Sequence, residues 1–304
     1  GAQPLGGPTG GRIQGEVQLG EVLRARVQFE QPFSLNPPSG LYLTTNVHHF
    51  PLDVYETGTR IARADLDVVS GRFNLWSTLQ QNLGITIGTG VELFWTTPSA
   101  GPSSVTSGLD DDDELVSVEG QVLYDTFPVA AYPQRGVRGL LKSEATWRMG
   151  PDLPFTQYLL DAEGRLPVSK SLSLTAHLTA GFSTGGALPL HHLFYLGGAH
   201  ETGLLPEQQF SFSGYSVQAK SGRQMWAAAG GIQLQLPFGL IAMPRWNAGV
   251  TTDKREAWTD PASIFTGMGL TLGRKTLIGP VNLTVMAADW AGPYSLRVSA
   301  GPTF

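Results

Sequence analysis

A period of two runs through this chain, and its last stretch shows it most plainly. Tyr294 to Phe304 reads Tyr-Ser-Leu-Arg-Val-Ser-Ala-Gly-Pro-Thr-Phe. Leu296, Val298, Ala300, Pro302 and Phe304 share one parity; Ser295, Arg297, Ser299, Gly301 and Thr303 share the other. Successive residues of a strand face opposite sides, so one face is apolar and the other small or polar. A last strand packed on a soluble core would show this alternation. A strand of a membrane barrel shows it together with a closing aromatic, because the apolar face meets lipid and the aromatic reaches the interface girdle.

Composition separates the two. Charged residues make up only 15% of the 304, against about 25% in a typical soluble domain. Glycine is abundant, at 38 residues. No apolar run approaches the ~18 residues that a membrane helix needs. Apolar content is spread thin and alternates, as it does in a transmembrane antiparallel β-barrel. The absence of cysteine excludes disulfides, thiolate metal sites and cysteine nucleophiles. A net charge of -5 argues against a nucleic-acid partner. Residues 1–12 open on Gly1-Ala2-Gln3-Pro4-Leu5-Gly6-Gly7, with neither a basic n-region nor an apolar core. They read as a linker or an expression remnant ahead of a barrel over 13–304, which is then a mature protein or an excised piece.

Residues 13–30 read as the first strand. Val17, Leu19, Leu23, Ala25, Val27 and Phe29 fall on one parity, and Glu16, Gln18, Arg24, Arg26, Gln28 and Glu30 on the other. Charges of both signs on one strand face indicate a polar lumen rather than a dry core. After Asn36-Pro37-Pro38-Ser39-Gly40, the residues Leu41, Leu43, Thr45 and Val47 continue the pattern. A third strand sets Ala64, Leu66 and Val68 against Arg63, Asp65 and Asp67, and Ser70-Gly71-Arg72 then reads as a tight turn. A long strand carries Leu83, Ile85, Ile87, Val91, Leu93 and Trp95. Residues 98–113 break the rhythm. The run Asp110 to Asp113 lacks the alternating ligands and turn glycine of a calcium-binding hand and reads as a solvated loop.

Further strands are expected at 116–124, 138–148, 157–165, 171–182, 190–197, 224–236, 239–250, 263–274, 279–289 and 294–304. With the four before them these make about fourteen, an even number as closed single-chain barrels require. Sixteen would need two more, expected between 51 and 113. Short connections at Pro237-Phe238 and Ile278-Gly279-Pro280 contrast with long ones at 198–223 and 251–262, the asymmetry of periplasmic turns and extracellular loops. Lipid offers no partner to a free strand edge, so the strands at 13–30 and 294–304 are expected to meet in a seam.

Three stretches go beyond generic barrel texture. One is Tyr124-Asp125-Thr126-Phe127-Pro128 with Tyr132-Pro133-Gln134-Arg135-Gly136. Another is Leu188-Pro189 through Leu193-Phe194-Tyr195-Leu196-Gly197-Gly198, before a long loop. The third is Phe210-Ser211-Phe212-Ser213-Gly214-Tyr215 inside that loop, followed by Gly222-Arg223. In order and spacing, over roughly residues 60 to 304, they resemble the BamA-like outer-membrane translocase superfamily, whose barrels follow periplasmic POTRA repeats. Within it the chain looks most like the translocator barrel of patatin-like (type Vd) autotransporters.

The resemblance implies a bacterial outer-membrane location, sixteen strands, and a long loop at 198–223 that folds back into the lumen. It implies an anchor and translocator for a secreted patatin-like passenger, with no cofactor and no enzymatic activity of the barrel itself. Its partners would be membrane lipids and lipopolysaccharide, an upstream passenger and POTRA segment, the barrel-assembly machinery acting through the C-terminal strand, and a second copy if it forms a homodimer. The superfamily loop often carries Val-Arg-Gly-Phe or Val-Arg-Gly-Tyr, whose Arg pairs with acidic groups on the inner wall. The matching stretch here is Phe212-Ser213-Gly214-Tyr215, with Ser213 in place of the Arg. Phe212, Gly214 and Tyr215 are therefore expected to place the loop tip by shape.

Two rival readings are a passive porin-like channel and, less favoured, a barrel lipase. Gly181-Phe182-Ser183-Thr184-Gly185 matches a nucleophile elbow in letters, but Gly186-Ala187-Leu188-Pro189 after it reads as a turn into another strand rather than a helix. His177 and Ser173 share the lumen parity, away from lipid. The pairs His48-His49 and His191-His192 would face opposite sides on strands and could not chelate together, and His200 stands apart. No metal site is expected. Asn282-Leu283-Thr284 is a sequon in pattern only, lying within a strand. Tyr42, Trp147, Trp246 and Tyr294 are placed near strand ends, as interface aromatics.

Overall fold

The computed structural model describes residues 3–5, 10–20, 22–56, 59–107, 109–128, 132–149, 153–198, 208–254, 257–258, 260–277, 279–288 and 294–300. In chain order the elements are β1 (Gln3–Leu5), β2 (Gly11–Gln18), β3 (Leu23–Leu35), β4 (Pro38–Glu56), β5 (Thr59–Gln80), β6 (Leu83–Ala100), α1 (Ser103–Thr106), β7 (Asp111–Asp125), β8 (Gly136–Arg148), β9 (Phe155–Pro167), β10 (Leu172–Gly185), β11 (Phe194–Leu196), β12 (Gln209–Phe210), β13 (Lys220–Gly222), β14 (Gln224–Gln235), β15 (Leu240–Thr252), β16 (Phe265–Thr276), β17 (Gly279–Ala287) and β18 (Tyr294–Ala300). Fifteen strands form one sheet, in chain order apart from β11, β12 and β13. Those three form a small sheet of their own, in the order β12-β11-β13. Two compact units divide the chain: Gly1–Tyr124, Leu140–Tyr158 and Ser183–Leu190 in the first, and Asp125–Gly139, Leu159–Phe182 and His191–Phe304 in the second.

The expected alternation sets the faces. On β3, Leu23 and Val27 are exposed while Arg24, Arg26 and Gln28 are partly covered. On β10, Leu174 and Leu178 face out while Ser173 and Thr179 are buried. Asn74, Thr146, Gln157 and Gln233 are almost fully covered, yet Val17 is 71% exposed and Ile87 61%. A soluble domain inverts this distribution. A barrel wall requires it, because lipid takes the apolar face and backbone groups pair strand to strand.

Several boundaries differ from the expectation. Residues 13–30 are two strands, not one. β2 and β3 pair with Val17 opposite Ala25 and Gln18 opposite Arg24. Directly paired residues lie on the same face of a sheet, and these partners share odd or even numbering. The apolar parity therefore passes through the turn unbroken and hides it. Ser70-Gly71-Arg72 is not a turn: all three lie inside β5, and Ser70 pairs with Asn46 on one side and Glu92 on the other. Asp111, Asp112 and Asp113 are not loop residues but open β7, opposite Thr96, Trp95 and Phe94 of β6 respectively.

Residues 190–197 are not a wall strand. Leu190–His192 forms a 3-10 helix, and Phe194, Tyr195 and Leu196 are all buried. Three consecutive apolar residues covered on both faces cannot alternate between lipid and lumen. One strand missed before residue 36 and one wrongly placed at 190–197 offset each other. Setting aside the three-residue β1, the sheet has fourteen strands among the described residues, the number counted from the sequence rather than the sixteen that the resemblance implies. Tyr42 is not an interface aromatic; it faces inward, next to Glu119, Arg26 and Arg72. Trp246 faces out but lies mid-strand, opposite Gly230 and Met268. The terminal residues Gly301 to Phe304 and His200 lie outside the described residues.

Val91, 58% exposed near the middle of β6, tests the outer face. Val91→Arg is expected to destabilise the folded barrel by about 2–4 kcal/mol in urea titrations in lipid, as for a cation at the bilayer midplane. Thr89→Val, on the same face, is expected to be close to neutral.

Candidate functional site: a loop docked on a polar inner wall

The inner face of the first unit carries a compact ion network. Arg72 on β5 places Nη1 2.7 Å from Glu119 and Nη2 3.4 Å from Glu144. Lys142 on β8 places Nζ 3.1 Å from Glu119 and 2.9 Å from Glu144. Two cations thus bridge two carboxylates, all four largely buried. Nearby, Arg148 pairs with Asp111 at 3.3 Å and Asp113 at 3.0 Å, which explains why those aspartates join a strand. Removing one partner of a buried pair leaves a charge without compensation. Arg72→Met is expected to lower stability by about 3–5 kcal/mol, and Arg72→Met with Glu119→Leu to recover part of it. An Arg72→Met barrel with wild-type urea midpoint would show that the network carries no such load.

The inner face of the second unit holds a hydrogen-bonded chain. The Arg245 guanidinium is 3.2 Å from His177 Nδ1, and His177 Nε2 is 2.9 Å from Asp161. The Thr179 hydroxyl donates to the same Asp161 oxygen at 2.7 Å. With Nε2–H donated to the carboxylate, Nδ1 is left to accept from Arg245. Glu163 is held by Arg165 at 2.8 Å. Glu163, Arg165, His177 and Arg245 border a cavity of about 70 Å3, which Ser213, Thr175 and Gly269 also line.

Between β10 and β14 the chain folds back as a wedge. Phe194, Leu196, Phe212 and Met225 form its buried core, with Phe210, Tyr215 and Phe265 packed against it. β11 pairs with β12 and β13, and the Phe212 N–H donates to the Gly198 carbonyl at 3.0 Å. Residues 199–207 of the expected loop 198–223 lie outside the described residues.

The tip, Phe212 to Tyr215, rests on glycines of the wall. A Cβ on Gly267 would collide with the Ser213 carbonyl, and one on Gly269 would sit 3.1 Å from the Ser213 hydroxyl. A Cβ on Gly249 would sit 2.9 Å from the Phe212 ring. Gly214 has φ 94°, and any side chain there would meet the Ala287 carbonyl, so only glycine fits. Asn247 donates to the Ser213 carbonyl at 3.2 Å. Phe212 lies 4.8 Å and Tyr215 5.4 Å from the Phe265 ring. The cation beside the tip, Lys220, sits 5.4 Å above Tyr215 and 5.2 Å above Phe265.

Phe212, Gly214 and Tyr215 are thus brought together, with Ser213 turned to the wall. The receiving residues, Asn247, Gly249, Gly267 and Gly269, were missed from sequence. Their signal was glycine on the lumen parity of adjacent strands, which in a glycine-rich chain is faint. Gly267→Val is expected to undock the tip. Tryptic cleavage after Lys220 or Arg223 would then rise about tenfold with strand content unchanged by circular dichroism. An unchanged cleavage rate would mean that the notch does not hold the loop.

The remaining candidates resolve by geometry. β10 runs through to Gly185, so Gly181 to Gly185 forms no strand–turn–helix elbow, and Ser183 accepts from Gln157 at 3.1 Å. His48 and His49 lie in β4 as expected, with His49 2.8 Å from Asp67. His191 and His192 do not diverge: they sit on a 3-10 turn with rings 4.6 Å apart.

An antiparallel wall with apolar residues out, polar residues in and a loop folded onto its inner face defines an outer-membrane β-barrel. Residues 24–285 match the Omp85 superfamily domain, and the chain belongs to that superfamily. Among solved structures it is similar to BamA from Haemophilus ducreyi lacking POTRA domains 1–3, with TM-score 0.72 and 10% identity over 96% of this chain and 64% of that one. It is also similar to CdiB from Acinetobacter baumannii, with TM-score 0.60 and 11% identity over 96% of this chain and 51% of that one. CdiB from Escherichia coli gives TM-score 0.59 and 16% identity over 95% and 55%. At such identities the likeness is one of fold. The chain spans less than two thirds of each of these proteins. No curated protein sequence matches it.

Proposed function

We propose that this barrel is the translocator and outer-membrane anchor of a polypeptide attached upstream, of the patatin-like class that the motif order resembles. The observation that carries the reading is the docked loop. A polar inner wall is a conduit for a hydrophilic chain, and the wedge between β10 and β14 lies on that wall in the second unit. The tip is held by glycine shape, aromatic contact and the Asn247 hydrogen bond, with its cation on aromatic faces. Contacts of that kind release without uncovering an unpaired buried charge, which is what a removable plug needs.

On this reading the barrel closes by pairing its first and last strands, and that seam is the line along which the wall loosens. Its partners are outer-membrane lipid and lipopolysaccharide, the assembly machinery that takes the C-terminal strand, and the upstream POTRA segment and passenger. The similar BamA structure is described as lacking POTRA domains 1–3, which names such domains as part of that protein. The work is conformational, and Ser183 takes no part in it.

A surface-protease experiment tests this. The precursor from its own outer membrane is identified by intact mass, and whole cells are then shaved with protease. A lipase-sized extension that is cleaved on intact cells is expected. An extension that stays protected, or a mature chain starting near Gly1, would overturn the assignment. Steady large openings of the purified barrel in a planar bilayer would favour the porin-like reading instead.

A further inference from the structure

Three neighbouring short turns of the second unit share a chemistry that turns in water avoid. They join β9 to β10 at 168–171, β14 to β15 at 236–239, and β16 to β17 at Leu277. Hydrogen bonding sets them side by side. The Gln235 N–H donates to the Ser171 carbonyl at 2.8 Å, and Leu240 on β15 pairs with Arg274 on β16. Each turn presents a large apolar side chain: Val168 is 58% exposed, Phe238 87%, and Leu277 fully. Leu166, Leu236 and Leu240 beside them are exposed as well.

Phe238 is the least expected of these. The Leu240 N–H donates to the Pro237 carbonyl, closing a four-residue turn with Phe238 at φ 63° and Gly239 at φ 70° in its centre. Both central residues are left-handed, a geometry that asparagine and glycine adopt readily and a bulky side chain does not. Neither the backbone nor contact with water favours phenylalanine at such a tip. Contact with lipid does.

The faces of the strands set the level of these turns. Leu270 and Leu272 lie on the outer face of β16, and Arg274 follows them on the same parity, also exposed. An outward cation in line with two outward leucines marks where hydrocarbon gives way to headgroups. Arg274 pairs with Leu240, and Phe238 lies two residues farther on, at most ~7 Å along the strand. That distance stays within the headgroup layer, about 5–7 Å thick on each side of the ~30 Å hydrocarbon core. From there a phenylalanine ring reaches back to the acyl chains.

The charges at this level are of one sign. Lys170, Arg274 and Lys275 are exposed, and residues 166–172, 234–240 and 272–281 contain no aspartate or glutamate. The chain as a whole carries -5. Among the described residues none of these three cations enters an ion pair.

We propose that these turns bind anionic phospholipid of the inner leaflet. Lys170, Arg274 and Lys275 take the phosphate, and Val168, Phe238 and Leu277 lie among the acyl chains. Short turns mark the periplasmic side of such barrels, and the leaflet on that side is phospholipid. Cations beside an anionic surface and an aromatic at headgroup level act together there. The site holds β15 and β16, the strands that receive the loop tip, at one depth in the bilayer. It needs only the outer-membrane location and stands apart from the translocator reading.

The chain has no cysteine of its own, so Phe238→Cys can carry a single nitrobenzoxadiazole dye. The full chain is folded into vesicles of equimolar phosphatidylcholine and phosphatidylglycerol, with a doxyl quencher on the acyl chains of one lipid or the other. Blue-shifted emission is expected, with phosphatidylglycerol the stronger quencher. Each basic residue near an anionic surface contributes about fivefold in lipid association, so the combined variant Lys170→Gln, Arg274→Gln, Lys275→Gln is expected to equalise the two quenchers. Water-like emission would overturn the proposal and assign these side chains to a periplasmic protein partner. Equal quenching with the three cations in place would overturn it as well. Phe238→Asn gives a readout without a dye. Asparagine suits the left-handed turn, so a purely structural role predicts a urea midpoint at or above wild type, and that result would overturn the proposal. Loss of the anchor predicts a lower midpoint in the phosphatidylglycerol vesicles. Heat-modifiable migration reports the folded barrel in each variant.

Discussion

Backbone pairing is the constraint on which the rest of this structure depends. In hydrocarbon a free N–H or C=O costs several kcal/mol, so a chain without a membrane helix crosses only as a sheet with its strands paired on both sides. The ladders from β2 to β7 and from β10 to β18 meet that demand without long interruption. Side chains are then free to divide by parity. The apolar half is given to lipid, and what is left for the interior is polar, small or charged. An interior of this kind cannot fill itself by collapse as a soluble core does. It is filled by ion pairs and by segments that fold in where the wall is glycine.

Those segments divide the inner space by different chemistry. Around Arg72, Lys142, Glu119 and Glu144 the first unit neutralises its own charges, strand against strand. In the second unit the wall recedes to glycine at Gly249, Gly267, Gly269 and Gly273, and side chains or backbone of other segments move into the space. Gly267 and Gly269 receive the loop tip at Ser213, and Gly273 receives the Tyr132 hydroxyl. The same device, a missing Cβ on the lumen parity, thus serves both segments. Where the superfamily loop often carries an arginine, this chain has Ser213. The acidic groups of the adjoining wall are occupied by wall residues instead, Glu163 by Arg165 and Asp161 by His177 and Thr179.

Much of the wall was legible because period two survives local irregularity. The faces of β3, β6 and β10 follow from parity alone. The same robustness concealed what parity does not encode. The β2–β3 turn leaves odd residues outside on both strands, so no break in the pattern marks it. Ser70-Gly71-Arg72 has turn letters, but two flanking ladders hold it extended. Tyr42 was read by residue type and position near a turn, whereas its parity already put it inside with Thr44 and Asn46.

For the candidate site the sequence supplied the tip, Phe212-Ser213-Gly214-Tyr215, and the segment around Tyr132, but neither of the surfaces that receive them. By itself the sequence determined an all-β chain, one face for lipid, a polar interior and the absence of cysteine chemistry, since each follows from alternation or composition. Only the tertiary structure decided that Asn247 and three glycines receive the tip, and that Asn282 meets Tyr132 from 150 residues away. The reason is physical. Parity fixes which way a residue faces within its own strand, while a contact across the lumen depends on register, strand order and the course of two connections, and none of these leaves a local mark in the chain.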